Sequence, residues 1–418
     1  MKTILIILSC IILTTSCSED DIPNSETDEN GVIVSTSYIW KRSLHLSTPV
    51  SNSGIKAPIY YNNNFVSPIT NGGNNRLLAM INSDNGDILW QWDDRYQPET
   101  EYTSISYFYQ YNNLLTYQRG DRSYCINLDN GATQWKFRRD TSFDVRIYPS
   151  FDNNFFNLVD IIDDNGYKEQ TATKVNINIG NLTTEVIRAN YSGDYIAPTN
   201  LIGAITNIVK VPNNSNLYAI TYAEPLPNWE VNSFLGLYNS DTKQWVYEHK
   251  LMASPTVNSS VYWPKIYNNK LYATVGKNLV CHDLDTGEQL WIKQFTQDFM
   301  FSGFIIEEDK IIASNEDETL YCLNPNNGST IWTVEGSGSS SRLAYLNGIV
   351  YFSGGGDGKL HAVDISNGKK VWKLNASNID GSIFASYNPV FVLPAEGNKP
   401  ARVFAHTLGN VVCFEAYQ

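Results

Sequence analysis

"CHDLDTGEQLWIK", residues 281 to 293, describes a strand, a tight turn and a second strand, and nearly the same phrase returns along the chain. In each copy a glycine precedes a tryptophan by four residues, so the glycine serves the turn and the tryptophan lies on the strand that follows. The copies are "MINSDNGDILWQW" from Met80, "CINLDNGATQWKF" from Cys125, the opening phrase from Cys281, "CLNPNNGSTIWTV" from Cys322 and "AVDISNGKKVWKL" from Ala362. This repetition predicts a repeat protein and decides the fold before any single residue is considered.

The tryptophan positions measure the length of the repeat. Counted from Trp90, with Val186 replacing tryptophan in a degenerate third copy and Trp245 in the fourth, successive positions are 45, 51, 59, 46, 41 and 40 residues apart. Asparagine-rich turns, such as the one at Asn112, precede most of them, and Asn and Gly tolerate the positive φ that two-residue hairpins need. Each repeat is therefore predicted to form four antiparallel strands, as in the blade of a β-propeller.

The two ends of the chain are predicted to share one blade. Seven complete repeats end at Trp372, and the remaining residues contain three strands without a fourth. The missing strand is predicted near Trp40, and we expect it to pair with the strand that contains Cys413, since this pairing leaves no free edge at the seam. The sequence thus predicts an all-β fold, an eight-bladed β-propeller of four-stranded blades over residues 33–418, closed by an N-terminal strand that pairs into the last blade.

Composition agrees with this fold and limits the possible partners. The chain has 26 Tyr, 17 Phe and 10 Trp, and only 17% of its residues are charged. Aromatic residues suit pleated, half-buried surfaces. The formal net charge is -13 and no basic stripe is present, which argues against nucleic acid or anionic lipid as a partner.

The N-terminus predicts export and a lipid anchor. Residues 1–16 have the form of a signal peptide, with Lys2, an apolar run from Ile4 to Leu13 and small residues before Cys17. This arrangement resembles a bacterial lipobox, which implies lipidation of Cys17; the alternative is an ordinary signal peptide with an incidental cysteine. Residues 17–32 form an acidic, disordered tether whose "SEDD" is similar to the surface-export signal of Bacteroidetes lipoproteins. We expect a lipid-anchored outer-membrane protein that faces either the periplasm or the cell surface.

The remaining polar chemistry indicates no active site. Cysteines at positions 125, 281, 322 and 413 occupy one equivalent position of the repeat, which predicts small apolar core residues; a disulfide between Cys281 and Cys322 is the alternative. The five histidines are scattered without metal-ligand spacing, and no nucleophile elbow is present. We therefore predict no catalytic, cofactor-binding or metal-binding residues.

The phrase "DLDTGEQLW" resembles the repeat of the PQQ-like propeller family over nearly the whole mature chain. Quinoprotein dehydrogenases of that family hold the quinone cofactor PQQ on the propeller axis, but they are much longer and many have an adjacent cysteine pair that this chain lacks. The BamB-type lipoproteins of outer-membrane assembly are closer in size, anchor and blade count. This chain departs from them because it lacks their "RLSDVD"-like loop.

The resemblance implies a non-enzymatic protein-interaction scaffold with an envelope or outer-membrane partner and no cofactor. A surface lipoprotein that binds glycans or other ligands is the alternative, and a PQQ-dependent dehydrogenase is a third. Exposed aromatic and basic residues in loops are typical binding anchors. The predicted partner-binding residues are Trp229, Arg119, Arg122 and Tyr195. The alternatives are a Trp229 ring folded back onto its own blade and arginines that are ordinary surface charges.

Overall fold

The computed structural model describes residues 25–44, 55, 57–70, 76–96, 105, 107–119, 121–138, 143–257, 261–299 and 303–418. The predicted signal peptide and Cys17 lie outside these residues. Strands dominate the described chain, and its two helices are single 3-10 turns, Pro227–Trp229 and Ala376–Asn378. The prediction of an all-β propeller is confirmed.

The described strands form five sheets of four strands, one of six and one of eight. Setting aside the first two short strands, and dividing the eight-stranded sheet at its one parallel pairing, gives eight antiparallel groups of four strands, which we call units. Three short strands precede the first unit: β1 (Glu26–Thr27), β2 (Ile33–Ser35) and β3 (Trp40–Ser43). Units one to four comprise β4 (Tyr60–Tyr61), β5 (Asn64–Thr70), β6 (Arg76–Ile81), β7 (Ile88–Trp92); β8 (Phe108–Tyr111), β9 (Leu114–Arg119), β10 (Arg122–Asn127), β11 (Thr133–Arg138); β12 (Phe143–Pro149), β13 (Asn154–Ile162), β14 (Lys168–Asn176), β15 (Leu182–Ile187); and β16 (Leu201–Lys210), β17 (Leu217–Pro225), β18 (Glu230–Asn239), β19 (Gln244–Val257).

Units five to eight follow the same order of strands. They comprise β20 (Val261–Tyr267), β21 (Lys270–Val275), β22 (Asn278–Asp283), β23 (Gln289–Gln294); β24 (Phe304–Glu307), β25 (Lys310–Ser314), β26 (Thr319–Leu323), β27 (Thr330–Glu335); β28 (Ala344–Leu346), β29 (Ile349–Ser353), β30 (Leu360–Asp364), β31 (Lys370–Leu374); and β32 (Phe391–Leu393), β33 (Arg402–His406), β34 (Asn410–Glu415) with β3 as the fourth strand.

The core of the molecule lies between the units. Eight hydrophobic clusters occur among the described residues, and each takes its side chains from two units that follow one another. The cluster that joins unit eight to unit one contains Phe404 and Phe65, whose ring centroids are 5.1 Å apart. The packing of the units therefore closes into a ring.

The seam of the ring is the predicted one. Strand β3 pairs antiparallel with β34, and Trp40 lies directly opposite Cys413. The Trp40 side chain is 9% exposed, and its indole N–H donates to the Ser83 carbonyl of unit one at 3.1 Å. The strand near the N-terminus thus completes unit eight and also contacts unit one.

The recurring glycine and tryptophan contact each other across unit boundaries. Trp291 of unit five lies over the turn of unit six, where a Cβ added to Gly328 would stand 2.8 Å from its ring. Gly328 has φ +70°, a conformation that L side chains rarely adopt, and the Trp291 N–H donates to the Pro325 carbonyl at 2.9 Å. Trp40, Trp90, Trp135 and Trp332 pack in the same way against Gly86, Gly131, Gly180 and Gly368. The tryptophan therefore packs as a wedge between neighbouring units, against the glycine in the turn of the next unit.

Unit four departs from the pattern that the sequence predicted. The Trp245 N–H donates at 3.0 Å to the carbonyl of Arg188, in the connection between units three and four. The Trp245 side chain thus packs toward unit three and not toward unit five. Tyr247, two residues later, takes the wedge position, with its hydroxyl donating to the Leu284 carbonyl at 2.9 Å and its ring against Gly287. The assignment of Trp245 as the equivalent of the other tryptophans was therefore wrong. Tyr247 can take its place because residues two apart in a strand point to the same face.

The N-terminal segment is more ordered than predicted. Strand β1 pairs antiparallel with β2 around a turn in which the Asp28 carboxylate accepts from the N–H groups of Asn30 and Val32, both at 2.9 Å. Strand β2 then lies parallel to β31, with Ile33 opposite Trp372. The interpretation of residues 17–32 as a disordered tether is therefore wrong from Glu26 onward.

Candidate functional site

Strand order divides the connections of the propeller between two faces. Connections between the first and second strands of a unit, and between the third and fourth, lie on one face and are tight turns. Connections between the second and third strands, and from one unit to the next, lie on the opposite face, which we call the loop face. All four predicted partner-binding residues lie on the loop face, since Trp229 joins β17 to β18, the two arginines flank the turn between β9 and β10, and Tyr195 lies between β15 and β16.

Units three and four rise above the rest of the loop face. Strands β13, β14, β17 and β18 have nine or ten residues, and β19 has 14, whereas the second and third strands of units five to seven have five or six. At about 3.3 Å per residue, four extra residues add roughly 13 Å. The two units are also joined in one sheet by a parallel pairing of Lys168 with Leu201. This joined pair of hairpins is the most prominent described feature of the loop face.

Trp229 lies at the tip of the β17–β18 hairpin of unit four. A 3-10 turn spans Pro227–Trp229, and Asn228 and Trp229 both have φ 63°. The turn is closed by the Leu226 N–H, which donates to the Glu230 carbonyl at 2.8 Å. The Trp229 side chain is 71% exposed, and Ile162 at the end of the neighbouring hairpin is 58% exposed. The tryptophan does not fold back onto its own blade.

The other predicted residues are less prominent. Arg119 and Arg122 lie opposite each other in the β9–β10 pairing, and Arg122 Nε is 3.5 Å from the Asp121 carboxylate, which partly neutralises the pair. Tyr195 is half-buried. The arginines belong to unit two, whereas Trp229 and Tyr195 belong to the connections of units three and four.

The connection that carries Tyr195 is held by residues that the sequence did not single out. The ring of Tyr191 packs so closely on Gly203 that a Cβ there would clash, and its hydroxyl donates to the Gln170 carbonyl at 2.8 Å. The buried Glu224 carboxylate accepts from the Ser192 N–H at 3.0 Å and from the Ser192 hydroxyl at 2.6 Å. Trp229 and Tyr195 therefore lie on a structured platform.

A second candidate site lies on the propeller axis. The first strands of neighbouring units contact one another, as β8 does β12 and β16 does β20, so these strands line the axis. A cavity of about 390 Å³ opens between them. Its described lining contains Arg342 and Lys210 as charged residues and no carboxylate, and the rest is Ala57, Tyr107, Phe108, Ile147, Tyr148, Pro149, Asn207, Ile208, Val209, Trp263 and Pro264.

Arg342 and Trp263 form the centre of this axial pocket. The guanidinium carbon lies 3.0 Å from the centroid of the indole ring, a cation–π contact between the residue that comes just before β28 of unit seven and strand β20 of unit five. Burial lowers the pKa of Arg342 to about 9. Burial also lowers the pKa of nearby Lys265, and the positive charge of Arg342 lowers it further.

Glu307 is the acidic group that interacts with Lys265. Burial raises the pKa of Glu307, and the Lys265 charge acts against that increase. Glu307 is absent from the described pocket lining, so the pocket itself has a positive character. The sequence does not indicate this site, because Trp263 and Arg342 are 79 residues apart and neither lies in the recurring phrase.

The four described cysteines lie in the core. Cys125, Cys281, Cys322 and Cys413 are fully buried and unpaired, so Cys281 and Cys322 form no disulfide. Burial raises the pKa of the Cys125 and Cys413 thiols to about 12 and of the other two to about 11. They are core residues, as predicted. Among the described residues, no group of three or more His, Cys, Asp or Glu side chains is placed to hold a metal ion.

The ring of four-stranded units and its interlocking glycine–tryptophan phrase define the fold class of the protein, a β-propeller whose repeats are similar to PQQ-like repeats. More particularly, residues 237–418 match the family described as "Outer membrane protein assembly factor BamB". No curated protein sequence matches the chain significantly.

Solved structures of three related propellers show the same fold. BamB from Moraxella catarrhalis is 14% identical with a TM-score of 0.53, over 89% of this chain and 98% of its own. A europium-containing methanol dehydrogenase is 10% identical with a TM-score of 0.62, over 90% of this chain and 85% of its own. A quinohemoprotein alcohol dehydrogenase from Pseudomonas putida HK5 is 10% identical with a TM-score of 0.61, over 91% of this chain and 77% of its own. At these identities the likeness concerns the fold alone.

The axial pocket does not fit the quinone cofactor that the dehydrogenases imply. A quinone held with a cation needs an aromatic face for stacking and carboxylate ligands for the cation. Here the Arg342 guanidinium covers the Trp263 ring, and the described lining has no carboxylate. The chemistry of this lining suits an anion rather than a quinone–cation pair.

Proposed function

We propose that this chain is a non-enzymatic, lipid-anchored envelope protein that acts as a protein-interaction scaffold in outer-membrane protein assembly. The observation that carries the proposal is the exposed Trp229 ring at the tip of the tall joined hairpins of units three and four. The match of residues 237–418 to the assembly-factor family supports the choice of partner.

An exposed tryptophan costs free energy in solution unless a partner covers it. Burying such a ring removes 150–250 Å² of mostly apolar surface from water, and at about 25 cal/mol per Å² this contributes roughly 4–6 kcal/mol before the ordering costs of association. Tryptophan is also among the residues that most often dominate binding energy in interfaces. Ile162, exposed on the adjacent hairpin, extends the apolar contact.

The proposed attachment to the membrane is the lipid on Cys17. Among the described residues, no helical segment has the length and apolar character needed to cross a bilayer. Only eight residues separate Cys17 from the first residue of β1, so the linker between the anchor and the ring is short. In this arrangement the propeller stays close to the outer membrane, where newly arriving barrel proteins are assembled.

The test is affinity capture of the lipidated protein from cross-linked outer membranes, followed by mass spectrometry. We expect barrel-assembly proteins to be enriched with the wild type and lost with Trp229→Ala, while Leu290→Ala, an exposed apolar control on unit five, retains them. Recovery of polysaccharide, with no assembly protein enriched, would instead favour the ligand-binding alternative. Equal capture by the wild type and Trp229→Ala would contradict the placement of the interface.

A further inference from the structure

The described lining of the axial pocket contains two positive charges and no carboxylate. Neither Arg342 nor Lys210 forms an ion pair with any carboxylate of the described residues; Arg342 instead stacks on Trp263, and Lys210 Nζ lies 5.5 Å from the Phe151 ring centroid. The chain as a whole has a net charge of -13, so acidic groups are abundant. Partly buried cations elsewhere do pair, as Arg402 with Asp84 at 2.9 Å and Lys370 with Glu335 at 3.3 Å.

Leaving a guanidinium without a carboxylate in a partly buried position is costly. A cation–π contact contributes roughly 0.5–2 kcal/mol, less than a hydrogen-bonded anion would offer to a desolvated guanidinium. Two other polar groups of the described lining are engaged elsewhere: the Asn207 amide donates to the Val261 carbonyl at 2.6 Å, and the Tyr148 hydroxyl donates to the Thr206 carbonyl. A cation–π contact uses none of the guanidinium N–H groups as hydrogen-bond donors to oxygen, so they can still donate to an incoming oxyanion.

We propose that the axial pocket binds a small organic anion, with a carboxylate or phosphate held by Arg342 and Lys210. The apolar body of the ligand packs against Phe108, Pro149 and Ile208. A cavity of about 390 Å³ suits a small molecule and is too small for a folded partner. The site lies inside the ring and is separate from the loop-face surface, so the two proposals stand or fall independently.

The test is calorimetric titration of the full-length protein in 150 mM chloride with three probes of one shape: benzoate, phenyl phosphate and the neutral benzamide. At least one of the two anions is expected to bind saturably at one site per chain, about tenfold or more tighter than benzamide, because charge-assisted hydrogen bonds contribute about 1.5–3 kcal/mol. Since the protein is strongly acidic overall, unspecific attraction of anions is disfavoured. Comparing the two anions distinguishes carboxylate from phosphate recognition.

Three variants locate the site. Arg342→Gln is expected to weaken anion binding at least about tenfold, and Lys210→Gln to weaken it by a smaller factor. Lys369→Gln, an exposed lysine in a turn of the opposite face, should bind as the wild type does. If Arg342→Gln does not fold, Arg342→Lys and Lys210→Gln keep the test open, since both alter the anion site while Arg342→Lys retains the charge. The proposal is overturned if neither anion binds more tightly than benzamide, or if binding is unchanged in the foldable pocket variants.

Discussion

Replacing Trp40 by alanine tests the closure of the ring. The Trp40 side chain is almost fully buried at the seam between units eight and one, packs on Phe404 at 5.8 Å between ring centroids, and donates to the Ser83 carbonyl. Truncating a buried tryptophan costs about 3–5 kcal/mol, so Trp40→Ala should lower the free energy of unfolding by that amount. With an unfolding entropy of about 2.1 cal/mol/K per residue, a loss of 4 kcal/mol corresponds to a fall in Tm of roughly 5 °C for a chain of this length.

The matched control is Trp229→Ala, which removes the same side chain from a site that is 71% exposed. It should change stability by no more than about 0.5 kcal/mol, as most surface substitutions do. Both variants would be compared with the wild type by urea titration followed by far-UV circular dichroism and by scanning calorimetry. Equal losses in the two variants, or a loss below about 1 kcal/mol for Trp40→Ala, would refute the argument that the N-terminal strand locks the seam.

Three other outcomes can be measured on the same protein. Gly328→Ala should destabilise the protein by about 1–3 kcal/mol, because the added Cβ meets the Trp291 ring. Gly397→Ala, at φ +59° with open space around it, should show only the smaller cost of backbone strain. Equal unfolding midpoints of the two variants in urea would count against the glycine–tryptophan contact as a source of stability. Burial lowers the pKa of His406 to about 4, below the value near 6.5 of the unfolded chain, so folding favours the neutral imidazole. The free energy of unfolding should therefore fall by up to about 3 kcal/mol as the pH drops from 6.5 to 4. A flatter dependence of stability on pH in His406→Gln would support this, and a dependence identical to that of the wild type would contradict it. In a Cys17→Ser protein without its signal peptide, no thiol should react with a disulfide reagent until urea unfolds the chain. Rapid reaction in the folded state would show that at least one of the buried cysteines is accessible; these are Cys125, Cys281, Cys322 and Cys413.

The parts of the fold that depend on local sequence were predictable. Glycine at positive φ and a tryptophan four residues later recur because each copy forms the same turn and the same contact, so the repeat could be recognised without the structure. The seam was predictable for a topological reason, since three strands without a fourth at one end require a partner for the edge at the other.

The features that depend on contacts between distant segments were not predictable. Tyr247 replaces Trp245 as the wedge because unit four shifts by two residues, a change that leaves the alternation of the strand intact. The stacking of Arg342 on Trp263 joins units seven and five across the axis, and neither residue lies in a recognisable motif. Exposure of Trp229 was predictable from its proline-flanked polar loop, but the height of the hairpins that carry it was not.

The pairing of Trp40 with Cys413 sets a condition on the timing of folding. Strand β3 is made among the first residues of the chain, and its partner β34 among the last. Until β34 has been synthesised, units one and eight cannot join, and the apolar surfaces on both sides of the gap stay exposed to solvent. Any chain cut short before β34 is therefore left with an open ring.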